Sequence, residues 1–161
     1  MITGIIIKKY YYRQHCKKLL ADGEDSAYVP TTTIYSVFDE IVQPEEGDNA
    51  SGRINNARGV GVSNNELQRL YPGQPAGGIY SHQGVLYNAV GYALVMDALT
   101  HDGPGEASRI DLATECQELA TDGLGLAGVL VTKGIIPVMA ALILTYPHQS
   151  FNEPPITAYA A

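Results

Sequence analysis

The chain is 161 residues long, with 45% hydrophobic and 17% charged residues. That is one domain's length with enough apolar mass for a core, which argues against disorder over the whole chain. Seventeen acids against ten bases leave a net charge of −7, which argues against a nucleic-acid binder, because neutralising phosphates needs a positive face.

The charge is unevenly placed. Residues 1–18 carry Lys8, Lys9, Arg13, Lys17 and Lys18 and no acid, whereas residues 19–161 hold five bases against seventeen acids. The basic N-terminal segment 1–18 therefore stands apart from the rest. Its apolar run, Ile5-Ile6-Ile7, is far shorter than the ~7–15 residues of a secretory h-region, so no signal peptide is expected.

Next along the chain, Tyr28-Val-Pro-Thr-Thr-Thr-Ile-Tyr-Ser-Val-Phe38 is rich in β-branched and aromatic residues. It predicts a buried strand entered through Pro30, where a missing N–H is tolerable. From 47 to 78 the abundance of Gly, Asn and Pro predicts a long irregular connection. Gly84 to Thr100 places Leu86, Ala89, Val90, Ala93 and Met96 at helical spacing, and His101-Asp-Gly-Pro-Gly105 stops that helix. A short helix is expected around Ile110–Leu119.

The segment from Leu124 to Tyr146 is apolar apart from Lys133 and some small or polar positions. A membrane span wants ~20 predominantly apolar residues without a central charge. Lys133 and the interruptions at Gly128, Gly134 and Pro137 favour a buried or lid-like surface helix, bent at Pro137. Glu153-Pro-Pro155 leads into an extended tail.

Neither cysteines nor histidines suggest a metal centre. Cys16 and Cys116 do not make a disulfide scaffold, and the histidines at 15, 82, 101 and 148 are far apart. Asp39, just past the expected strand, and His82, just before the expected helix, are more informative. The carboxyl end of a strand is where open α/β sheets place functional groups. A hydrolytic triad of the α/β-hydrolase type runs Ser, then Asp or Glu, then His along the chain. Asp39 and His82 respect that order. Strand ends also carry Asp for turn or capping reasons, and a lone His often serves structure, so spacing leaves both readings open.

The nucleophile is missing from this chain. The elbow G-x-S-x-G needs glycine on both sides of the serine to permit its strained turn. None of the seven serines, at 26, 36, 51, 63, 81, 108 and 150, has a glycine two residues later. The backbone donors of an oxyanion hole, which flank that elbow, are missing with it.

The run from Tyr28 to Pro44, YVPTTTIYSVFDEIVQP, resembles the fungal lipase B family, with Ser81-His-Gln-Gly84 where that family has its catalytic His. Ala57-Arg-Gly-Val-Gly-Val-Ser-Asn-Asn65, Pro72-Gly-Gln-Pro-Ala-Gly-Gly78, Asp97-Ala-Leu-Thr-His-Asp-Gly-Pro-Gly105 and Glu153-Pro-Pro-Ile156 look like its ascomycete branch. The likeness covers roughly 19–161. It implies the C-terminal part of an α/β-hydrolase fold, with an incomplete sheet, whose Ser and oxyanion residues lie in a missing N-terminal half.

The resemblance also implies that Asp39 is the triad acid and His82 the base. Ile41, Ile143 and Leu144 would line the substrate pocket, and 124–146 would border the active-site entrance and meet a lipid interface without spanning it. It implies a lipid or ester substrate, no metal or organic cofactor, and a family that looks secreted; it points to no protein partner. Tyr71 stands where the family usually places a Cys that pairs with the counterpart of Cys116, so Cys116 is expected to be unpaired. Two readings follow: the C-terminal fragment of a serine carboxylester hydrolase, inactive by itself, or a non-catalytic truncated lipase-like protein with at most apolar-ligand or interface binding. A small membrane-associated protein is a distant third.

Overall fold

In the computed structural model, which describes residues 26–147, the run TTTIY forms strand β1, Thr31–Tyr35. Segment 1–18 with Cys16, and the tail at 153–156, lie outside the described residues. Thr and Ile suit a pleated, half-buried surface, and along β1 only Tyr35 is buried. The expected strand over 28–38 is thus shorter and less covered than its composition suggests.

Its partner lies inside the stretch read as an irregular connection. Val62–Glu66 forms β2, parallel to β1 in a register that runs from Thr31 opposite Val62 to Tyr35 opposite Glu66. The sequence VSNNE shows no apolar alternation, so periodicity could not find it. Its asparagines instead knit the sheet to its surroundings. Asn65 Nδ2 donates to Thr33 O at 3.0 Å, Thr33 Oγ1 donates to Asn64 Oδ1 at 2.9 Å, and Asn64 Nδ2 donates to Ile54 O at 3.0 Å. Gly61, at φ +97°, takes the chain into β2, a backbone conformation that L side chains rarely adopt, and its carbonyl accepts from Thr31 N at 3.1 Å.

Helix α1, Leu67–Leu70, continues directly from β2. The helix expected over 84–100 divides in two. His82–Tyr87 is a 3-10 turn and Ala89–Thr100 is α2. The division falls at Asn88, which is fully buried. Its Oδ1 accepts from Gly91 N at 2.9 Å and its Nδ2 donates to Ala76 O at 2.9 Å. The N-cap thus satisfies an orphan amide of α2 and ties its start to the preceding loop. Within α2, the Asp97 carboxylate takes Arg109 Nη2 at 2.7 Å and Glu106 N at 2.8 Å from the chain that follows. The guanidinium holds Asp97 below the usual carboxylate range. Helix α3 spans only Leu112–Glu115, capped by Asp111.

The core gathers Leu67, Tyr71, Tyr80, Tyr87, Val90 and Leu94 from α1, α2 and the loops between them, together with Cys116 at the end of α3. Cys116 is buried and, among the described residues, has no disulfide partner; it sits in the same cluster as Tyr71. Tyr71 is only 5% exposed, and its hydroxyl has no hydrogen-bond partner among the described residues. Burial, and secondarily the nearby Cys116, push that phenol up to about 12.

The apolar segment forms α4, Leu126–Lys133, and α5, Ile135–Thr145. The interruption falls at Gly134 rather than at Pro137. Pro137 is the third residue of α5, inside the first turn, where N–H groups lack an intrahelical acceptor and a proline costs little. Neither helix buries a residue, so of the two expected placements the surface one holds. Leu126–Thr145 is long and apolar enough to cross a membrane by length and composition.

Candidate active site

Past Tyr35 the chain turns sharply, with Asp39 N donating to Ser36 O at 3.0 Å. The turn leaves Asp39 7% exposed, and a buried carboxylate must find donors. Oδ1 accepts from Ile41 N and Val42 N, both at 2.8 Å. The Gln43 side-chain amide donates to the Asp39 carbonyl. With one oxygen fixed by backbone, the other is aimed: Oδ2 meets His82 Nδ1 at 2.7 Å, a distance typical of a charge-assisted bond.

His82 opens the 3-10 turn His82–Tyr87. Its backbone N–H donates to Glu40 Oε2 at 3.0 Å, so the two acids that follow β1 hold both the backbone and the ring of one histidine. Gly84, two residues on, is closely approached by side chains. A Cβ there would sit 3.2 Å from Ser81 Oγ and 3.3 Å from Tyr87 Oη, tighter than ordinary contact. The Asp39 side chain is 8% exposed and that of His82 is 44% exposed. The pair therefore has a sheltered acid and a base open to solvent. Because Nδ1–H donates to the carboxylate, Nε2 is the acceptor nitrogen of the neutral ring. This arrangement can abstract a proton at Nε2 while the carboxylate stabilises the resulting imidazolium.

Residues the sequence did not single out complete the surroundings. Gln68, on α1, bonds to the loop before Asp39 and to the loop before His82. Two further carboxylates are buried close by. Glu45 accepts from Gly52 N at 3.1 Å and Glu66 accepts from Gly47 N at 3.0 Å. Burial pushes the Glu45 carboxyl above its usual range. The Gly52 hydrogen bond opposes this, and the Asp39 carboxylate adds to it. A polar loop such as Glu45-Glu46-Gly47-Asp48 gives no sign that its first acid turns inward.

Ile41 touches Asp39 through its backbone N–H, while its residue is 56% exposed. Ile143 and Leu144 lie exposed on α5. An open depression of about 650 Å³, lined by Gln117 to Gly125, contains none of these residues. Among the described residues, no group of three or more His, Cys, Asp or Glu side chains is placed to hold a metal ion.

No family model and no curated protein matches the chain. Among solved structures it is similar to the crystal structure of Aspergillus fumigatus lipase B, with 52% identity and a TM-score of 0.84. The match covers 90% of this chain and 34% of that one, so the chain spans about a third of that protein's length. The two-stranded parallel sheet with its helices is consistent with part of the α/β-hydrolase fold that a lipase neighbour implies.

Proposed function

Because the chain belongs to the fungal lipase B family, we propose that it supplies the acid and base of a serine carboxylester hydrolase acting on a lipid or other ester. The observation that carries this reading is the 2.7 Å contact between Asp39 Oδ2 and His82 Nδ1. Asp39 fixes the ring's tautomer. His82 Nε2 takes the proton of a serine hydroxyl as its oxygen attacks the ester carbonyl, then returns it to the departing alcohol. Water repeats the exchange to release the acid. None of the chain's serines has the glycine at the second following position that the elbow needs, so the nucleophile and the oxyanion donors come from outside these 161 residues. The exposed apolar α4 and α5 face a lipid interface in this reading, without spanning a membrane. Secretion is proposed on family likeness.

A second reading, a non-catalytic lipase-like chain, is favoured by the same serine pattern. Hydrolysis of p-nitrophenyl esters separates the two. The chain alone is expected to show no turnover above a His82→Ala control. Joined by the part of Aspergillus fumigatus lipase B that it does not match, it is expected to gain activity. His82→Ala should abolish that activity, and Asp39→Asn should lower it by about 10⁴, as loss of the tautomer-fixing acid does elsewhere. Complemented activity that survives His82→Ala refutes the acid–base assignment, and a complex that forms yet stays inert supports the second reading.

A further inference from the structure

We infer that Gln68 is a positioning residue that sets the approach of Asp39 to His82, an inference that rests on the acid–base reading above. The two functional loops are far apart in sequence, one leaving β1 and the other leading from Gly78 into the 3-10 turn at His82. Gln68 lies between them in sequence and also in space. The register that sets Glu66 opposite Tyr35 carries α1 just past the end of the sheet, where β1 has begun its turn toward Asp39.

The Gln68 carboxamide uses both of its donors and its oxygen there. Oε1 accepts from Val37 N at 2.9 Å; Nε2 donates to Ser36 Oγ at 3.0 Å and to Gly78 O at 2.7 Å. Ser36 is fully buried, and its Oγ also accepts from Phe38 N at 3.2 Å. All three residues before Asp39 are thus tied to one side chain, directly or through Ser36. That side chain also holds the carbonyl four residues before His82.

Only an amide can do this. A carboxylate has no hydrogens for Ser36 and Gly78, and an aliphatic chain leaves all three groups unmet. Among the described residues, every hydrogen bond of the Gln68 side chain goes to one of these two loops. The adjacent Leu67, fully buried, provides the core packing of α1. Loss of the clamp leaves the two loops joined, among the described hydrogen bonds, by those of the pair itself and of Glu40.

The test uses the 161-residue chain and the His82 Nδ1–H proton, observed by NMR as a low-field, slowly exchanging signal. Gln68→Met keeps the length and removes the hydrogen bonds; Gln68→Glu keeps an acceptor and removes the donors. Both are expected to speed exchange of this proton by about tenfold or more, the change expected when opening the pair is easier by the worth of one lost hydrogen bond. Arg109→Met, which breaks the ion pair with Asp97 and whose described partners Asp97, Pro104 and Glu106 lie outside both loops, is the control. It should lower the melting temperature and leave the exchange rate at its wild-type value. Wild-type exchange in Gln68→Met or in Gln68→Glu overturns the positioning role while the acid–base reading stands. Absence of the signal from the wild type overturns that reading, and the positioning role with it.

Discussion

Replacing Tyr71 by Phe should stabilise the chain. Tyr71 is 5% exposed, and its hydroxyl has no hydrogen-bond partner among the described residues. A buried hydroxyl without a partner costs about 1–3 kcal/mol of desolvation. Phe keeps the ring and its burial, so the expected gain at neutral pH is about 1 kcal/mol, the low end of that range, since a small void replaces the oxygen. For a chain of this length, ~1 kcal/mol corresponds to about 2–4 °C in Tm.

The same substitution has a signature in alkali. Burial raises the Tyr71 phenol from its ordinary 10.0 to about 12, so the fold favours the protonated form. The associated stability is complete below pH 10 and is lost as pH rises through 12. At pH 11 the loss is about 1 kcal/mol by linkage. Phe cannot lose it. The advantage of Tyr71→Phe should therefore widen from about 1 kcal/mol at pH 7 to about 2 kcal/mol at pH 11. Urea titrations of both proteins at the two pH values, followed by circular dichroism with m held constant, measure this difference. A variant less stable than the wild type at pH 7 would show that the hydroxyl is satisfied. An advantage that stays the same at pH 11 would show that the phenol is not shielded.

Glu45→Gln is expected to stabilise the chain at pH 7 and to lose that advantage toward pH 4. The buried carboxyl is raised from 4.5, so wild-type stability is fully present below the unfolded value and falls as pH rises through the folded one; the urea midpoints at both pH values give the sign. Asn88→Ala removes the α2 cap and leaves Ala76 O unmet, and should cost about 1–3 kcal/mol, read as a lowered urea midpoint. Thiol titration under denaturing, non-reducing conditions should find two free thiols, Cys16 and Cys116; a count of none would place a disulfide between them.

Much of the framework was legible in local sequence. β-branched residues mark β1, helical spacing of apolar residues marks α2, and the apolar stretch after Leu124 marks α4 and α5, because each signal is written in neighbouring residues. Asp39 and His82 could be singled out by order and by motif. Their contact through Nδ1 was expected from the resemblance, which sets acid against base; only the tertiary structure gives the 2.7 Å geometry and the loops 43 residues apart that make it. Strand β2 escaped because a polar strand is stabilised by side-chain hydrogen bonds to distant backbone, which leave no period behind. The division at Asn88 escaped because apolar spacing continues through it, and of the interruptions at Gly128, Gly134 and Pro137 the break fell at Gly134 because a proline in the first turn of α5 is tolerated. Gln68 and Glu45 escaped for the same reason as β2. Composition can say that such residues are polar, but whether a polar group turns inward depends on which donors and acceptors the tertiary fold brings to it, and a buried one stays only where those partners are present.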